Sequence, residues 1–157
     1  LIQNSFNIYS GNGRGLGEIV VAQVNKHNAE KHFVNRPLIF TNDTNEEKDA
    51  KNRLIMKDCD TMIVVGGQDE SLTSSKNVIN QYFTFVNNSE GKKYPLVIPI
   101  PSTGYAAQEI FNSEEFRHSN VFQTNQKLFT ELGNTTEIEH IVHLLVNLIM
   151  SYKTEKV

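Results

Sequence analysis

The chain has 157 residues, enough to bury a core without metal or disulfide staples. Its 15 Lys and Arg against 18 Asp and Glu leave a formal charge of −3, which excludes a protein that works by spreading positive charge over nucleic acid or an anionic membrane. A single cysteine, Cys59, excludes an intrachain disulfide and a thiolate zinc site, and a reducing cytoplasmic setting is expected.

The chain opens on Leu1 rather than Met and enters a strand pattern almost at once, so it is expected to be part of a longer polypeptide. Short extended runs alternate with longer helical ones, the pattern of β-α units and a parallel sheet. Ser5 to Ser10 reads as a first strand ending in a glycine-rich turn. A helix follows from about Gly17 to His32, with Ile19, Val20 and Val24 on one face. Pro37 to Thr41 reads as a second strand. Thr44 and Glu47 have capping-box spacing, which predicts a helix running to about Lys57 with Ala50, Leu54 and Ile55 inward. Thr61 to Gly66 is an uninterrupted apolar run, expected to be the central strand and buried on both faces. Val78, Ile79, Tyr82, Phe83 and Val86 recur at helical spacing, and Pro95 to Ile100 supplies a fourth strand. Helices are predicted from Gly104 to about Asn112 and from Asn125 to Leu132. The Glu114-Glu115 pair is expected on a short helix, capping or solvating it. Thr136 with Glu139 is predicted to cap a last helix carrying Ile138, Ile141, Val142, Leu145 and Ile149. Its apolar run, Ile141 to Met150, contains His and Asn and is too short to span a bilayer. No repeat or linker divides the chain, so one domain over residues 1–157 is expected.

The strongest local signal is Ser10-Gly11-Asn12-Gly13-Arg14-Gly15-Leu16-Gly17, which holds four of the nine glycines between a strand and a helix. Glycines let a ligand approach the backbone, and a helix start presents unpaired N–H groups and a positive dipole end. That order of elements points to phosphate binding. In a parallel sheet the loops after the strands share one edge, where ligands bind. Gly66 and Gly67 of the third such loop, and Ser102, Thr103, Gly104 and Tyr105 of the fourth, are therefore candidates. Hydroxyls and helix-start amides there suit a second phosphate or a ribose, and Tyr105 suits stacking on a base. Arg14, Arg36 and Arg53 are the candidate phosphate cations, since arginine grips phosphate with a planar fork. His140 and His143 stand three apart on a helix but lack further metal ligands, so no metal site is expected.

Taken in order, Ser10 to Gly17, Arg36-Pro37, Lys51 to Met56 leading into Met62 to Gly67, and Ile100 to Glu109 resemble the successive blocks of a SLOG domain. The type is the one attached to sirtuin-like or TIR modules in bacterial defence proteins, best known from the Thoeris antiphage effectors. The resemblance implies an α/β, Rossmann-like three-layer sandwich with a mainly parallel sheet. It also implies a pocket for a signalling nucleotide, a cyclic ADP-ribose isomer or related ADP-ribose nucleotide, with no cofactor. Binding would control a linked sirtuin-like or TIR effector domain that consumes NAD, and a homo-oligomer is expected. On this resemblance Arg53 grips the ligand's phosphates, the Gly11 to Gly17 loop is the phosphate turn, and Glu109 is either a ribose partner or a helix cap. Relatives usually carry an earlier strand, which this chain is expected to start after, and acidic residues where this chain has Asn80 and Gln81; either Asn80 or Gln81 remains able to hydrogen-bond a ribose. The alternative is a nucleoside-monophosphate phosphoribohydrolase of the same superfamily. Its Pro-Gly-Gly-x-Gly-Thr-x-x-Glu block is not matched by Val65 to Thr73, so no catalytic residue is assigned and binding without turnover is expected.

Overall fold

The structure, a computed structural model, describes residues 8–11, 16–27, 33–36, 44–57, 59–69, 71–87 and 95–154. The chain divides into two compact units, Leu1–Cys59 and Asp60–Val157.

In the first unit, β1 (Ile8–Gly11) leads to α1 (Leu16–Lys26), then to β2 (Phe33–Arg36) and α2 (Asn45–Met56). The two strands pair in parallel. Helix α1 turns Val24 into the core, while Ile19, expected beside it, is exposed. One stripe of a short helix is only wide enough for the 20/24 row. Arg36 closes β2, and the expected strand at residues 37–41 lies outside the described residues. The predicted capping box is present. The amide of Glu47 donates to Thr44 Oγ1 at 3.3 Å, and the amide of Thr44 donates to Glu47 Oε2 at 2.8 Å. The helix runs as expected, but Ala50 and Leu54 face outward.

The second unit begins with β3 (Thr61–Val65), α3 (Lys76–Asn87) and β4 (Leu96–Ile100), the strands again parallel. Every residue of β4 is buried, whereas β3 is mostly half-buried and ends on an exposed Val65. The strand closed on both faces is therefore β4 and not, as its composition suggested, β3. On α3 the inward residues are Tyr82 and Phe85, with Phe83 and Val86 outward.

A 3₁₀ turn, Pro101–Thr103, carries the chain from β4 into α4 (Tyr105–Asn112), followed by α5 (Glu114–Arg117), α6 (Asn120–Thr124), α7 (Gln126–Asn134) and α8 (Ile138–Thr154). Two Ser-x-x-Phe steps build α5 and α6. Ser113 Oγ accepts the amide of Phe116, and Ser119 Oγ accepts that of Phe122, each at 3.2 Å. The same hydroxyls donate back to the carbonyls of Ile110 and Phe116. Each serine thus ends one helix, caps the next, and sets a phenylalanine into the core. Phe111, Phe116, Phe122 and Phe129 form a cluster with ring centroids 5.2 to 6.4 Å apart. The Arg117 guanidinium lies over the Phe111 and Phe122 rings at 4.3 and 4.9 Å, closing the cluster by cation–π contact. Helix α8 buries Leu144, Leu145, Leu148, Ile149 and Tyr152, so its core stripe is rotated from the predicted one, and Ile138 and Val142 are exposed.

Candidate functional site

The register of the first parallel pair sets Tyr9 against Val34, Ser10 against Asn35 and Gly11 against Arg36. Gly11, first glycine of the predicted phosphate turn, and Arg36 therefore share the carboxyl end of the pair, the edge at which parallel sheets bind ligands. Four residues separate Gly11 from Leu16, which opens α1 with Gly17 and Glu18 in its first turn. Among them Gly13, Arg14 and Gly15 lie outside the described residues. The strand, glycine connection and helix start thus follow in the order that phosphate recognition needs. Arg53 stands in the last turn of α2 and is exposed.

In the second unit, β3 and β4 end together, Val65 opposite Ile100. Gly66 and Gly67 follow the first, and residues 101–105 the second. The two turns are bonded to each other. The amide of Gly66 donates to Thr103 Oγ1 at 2.7 Å, and that hydroxyl donates to the carbonyl of Ile100 at 2.6 Å. The amides of Ala107 and Ala106 donate to the carbonyls of Gly66 and Gly67 at 2.8 and 3.3 Å. Hydroxyls and helix-start amides were expected to hold a second phosphate or a ribose here; the amides of Ala106 and Ala107 are instead taken by the neighbouring turn, because the chain leaves β3 with two glycines whose carbonyls reach α4. Gly67 is required for this. Its φ is +89°, and a Cβ would stand 2.8 Å from that of Ala106 and 3.1 Å from Val78 Cγ2.

Above this junction lies an open cleft of about 710 Å³, lined by Leu72, Thr73, Ser74, Gly104, Tyr105, Gln108, Glu109 and Asn112. Of the residues named from sequence, it brings together Gly104, Tyr105 and Glu109. Ser102 and Thr103 are exposed beside it, and Gln81, half-buried on α3, is not part of its lining. Tyr105, Gln108, Glu109 and Asn112 are the outward face of α4, opposite the buried Ala106, Ala107, Ile110 and Phe111. Gln108 and Asn112 were legible from that helical period but not named; Leu72, Thr73 and Ser74 are brought in by the loop after β3. Leu72 at φ 61° and Tyr105 at φ 50° are the non-glycine residues in the left-handed region among those described, and both line the cleft. Such strain persists only where surrounding structure fixes it, and it concentrates at binding sites.

The loop's fixing group is Asp69. Its carboxylate accepts from the amides and hydroxyls of Ser71 and Thr73 at 2.6 to 3.2 Å. These bonds, the hydroxyls first, hold its pKa down to about 2. At neutral pH it is a saturated acceptor rather than a base. The cleft lining contains one carboxylate, Glu109, two carboxamides, hydroxyls and one aromatic ring, and no cation. Its chemistry suits hydroxyls and a heterocycle, not a phosphate.

Among the described residues no group of three or more His, Cys, Asp or Glu is arranged to hold a metal, and no helix is long and apolar enough to cross a membrane. His140 lies 3.9 Å from Glu131 at the α7–α8 end of the unit. Cys59 is half-buried. No curated protein matches the chain. The model of the Sir2- and TIR-associating SLOG family, STALD, matches residues 1–152, nearly the whole sequence. With parallel strand pairs that carry their turns and candidate binding residues at the carboxyl ends, the chain belongs to the Sir2- and TIR-associating SLOG family.

Proposed function

We propose that this chain is a regulatory module that binds a signalling nucleotide of the cyclic ADP-ribose type without turning it over, and so controls a linked Sir2- or TIR-type effector that consumes NAD in antiphage defence. In this reading the architecture is a Rossmann-like three-layer sandwich with a mainly parallel sheet. The observation that carries the proposal is the register of Gly11 with Arg36, which puts the first glycine of the block and an arginine opposite each other at one strand end. That set, with Arg53, suits the phosphates of such a ligand. The Pro-Gly-Gly-x-Gly-Thr-x-x-Glu block of the superfamily's hydrolases is not matched by Val65 to Thr73, which supports binding without hydrolysis. A sensor must prefer one state of the protein, since equal affinity for two states shifts neither.

Calorimetric titration of the chain with cyclic ADP-ribose isomers tests the reading, with recovered ligand checked by chromatography. Saturable binding of an isomer recovered intact is expected. Heats of dilution alone, or release of free base, contradict it.

A further inference from the structure

We infer that Asn112 is a fixed hydrogen-bond donor of the cleft beside α4, that Arg117 is the positioning residue that holds it so, and that the pair selects an uncharged heterocycle with an acceptor nitrogen on its edge. The cleft of the second unit is taken here as a ligand site in its own right, without the phosphates read at Gly11 and Arg36. Arg117 is pinned from several sides. Its guanidinium lies over the Phe111 and Phe122 rings, Nε donates to the carbonyl of Phe111 at 2.8 Å, and Nη2 donates to Oδ1 of Asn112 at 3.3 Å. That carbonyl is among those a helix end leaves unmet, so the side chain that closes α4 also reaches its last residue. A guanidinium donates and never accepts, so the carboxamide can meet it only with its oxygen. The Nδ2 hydrogens then form the other polar edge of Asn112, which lines the cleft. An asparagine without such a holder turns either edge to a ligand. This one is set as a donor before any ligand arrives, which lowers the ordering cost of binding.

The other groups of the cleft narrow the ligand class. Glu109 stands three residues before Asn112 on the outward face of α4, one helical turn away, and its carboxylate accepts where Asn112 donates. Tyr105, 40 % exposed and held at a left-handed φ of 50°, offers a ring face. A purine with an exocyclic amine matches this set: the amine donates to Glu109, the ring nitrogen beside it accepts from Asn112, and the ring lies against Tyr105. The positive charge of Arg117 is engaged by the two phenylalanine rings, and the described lining holds no cation, so nothing there calls for a phosphate. The cleft, at about 710 Å³, is of the size that small-molecule sites have.

Adenosine carries this edge and no phosphate, and an NMR titration of the intact chain with it is the test. Saturating shifts are expected at the amides of Tyr105, Glu109 and Asn112 and at the side-chain NH₂ pair of Asn112. Purine riboside, which keeps the ring nitrogens and lacks the amine, should bind about tenfold more weakly. Asn112→Asp, which keeps the shape and removes the donor, and Asn112→Ala should each weaken adenosine about tenfold. Arg117→Lys keeps a cation over the rings and loses the fork, so adenosine should weaken by about three- to tenfold, with helical circular dichroism unchanged. In the Asn112→Ala chain the same lysine should weaken it no further, because the arginine acts through Asn112. The assignment is overturned if adenosine in millimolar excess leaves Tyr105, Glu109 and Asn112 unshifted, or if purine riboside or the Asn112→Asp chain binds as tightly as its parent. It is overturned equally by an Arg117→Lys effect that is absent in the parent chain or undiminished in the Asn112→Ala chain. The phosphate reading fails separately, at Gly11 and Arg36 in the titration with cyclic ADP-ribose isomers.

Discussion

Thr103 shows how one side chain decides what two turns can do. Its hydroxyl ties Gly66 to Ile100, so the ends of β3 and β4 move as one piece under the cleft. Thr103→Val leaves both partners unmet and should lower stability by about 1–2 kcal/mol in urea unfolding, while Thr103→Ser should retain most of it. Gly67→Ala meets both a left-handed φ and the Ala106 contact, and should cost on the order of 2–4 kcal/mol in the same assay. Asp69 carries a pH signature. Its carboxyl is depressed to about 2 from 3.8, so the loop's stability is full above pH 4 and is lost as pH falls toward 2. Amide resonances of Ser71 and Thr73 should follow that window, and Asp69→Asn should abolish it. Gly66, Gly67 and Thr103 were legible as turn residues. The bond of Gly66 to Thr103 was not, because it joins positions 37 apart in sequence.

At the scale of elements, local signals were the most legible. The Thr44/Glu47 box starts α2 where its spacing says, since both partners lie within one turn. Helix faces were harder. Apolar residues on α3 and α8 span more than one stripe, and only packing partners decide which part turns inward; hence Phe85 rather than Phe83, and Leu144 and Leu148 rather than Ile138 and Val142. The small helices α5 and α6 show why their serines matter more than their length, as each caps one turn and delivers one ring. Phe129, fully buried against Phe116 and Phe122, anchors that cluster, and Phe129→Ala should cost about 3–5 kcal/mol. Tyr82 links α3 to alkaline stability. Burial, and then the nearby Glu115 charge, push its phenol above the ordinary 10.0. Its contribution is full below pH 10 and is lost as pH rises beyond that, so Tyr82→Phe should flatten the alkaline limb of the unfolding profile.

For the whole molecule, alternating strand and helix patterns and the order of the glycine, arginine and Thr-Gly-Tyr blocks were enough to indicate the family, because these features are set by sequence order. What sequence order does not contain is which strand ends stand together. Gly11 opposite Arg36, and Val65 opposite Ile100, come from register alone. The ligand reading turns on the first of these, and on Arg53. Arg53→Ala should weaken nucleotide binding about 10- to 100-fold, the scale of one charge-assisted phosphate contact, without changing the unfolding midpoint of the free chain. The most direct measurement is an amide NMR titration of the intact chain with a cyclic ADP-ribose isomer. Saturating shifts are expected at Gly11, Leu16, Gly17 and Arg36, while the ligand's own signals show no cleavage. Saturating shifts confined to α7 and α8, or no shifts with ligand in excess, would contradict the ligand reading.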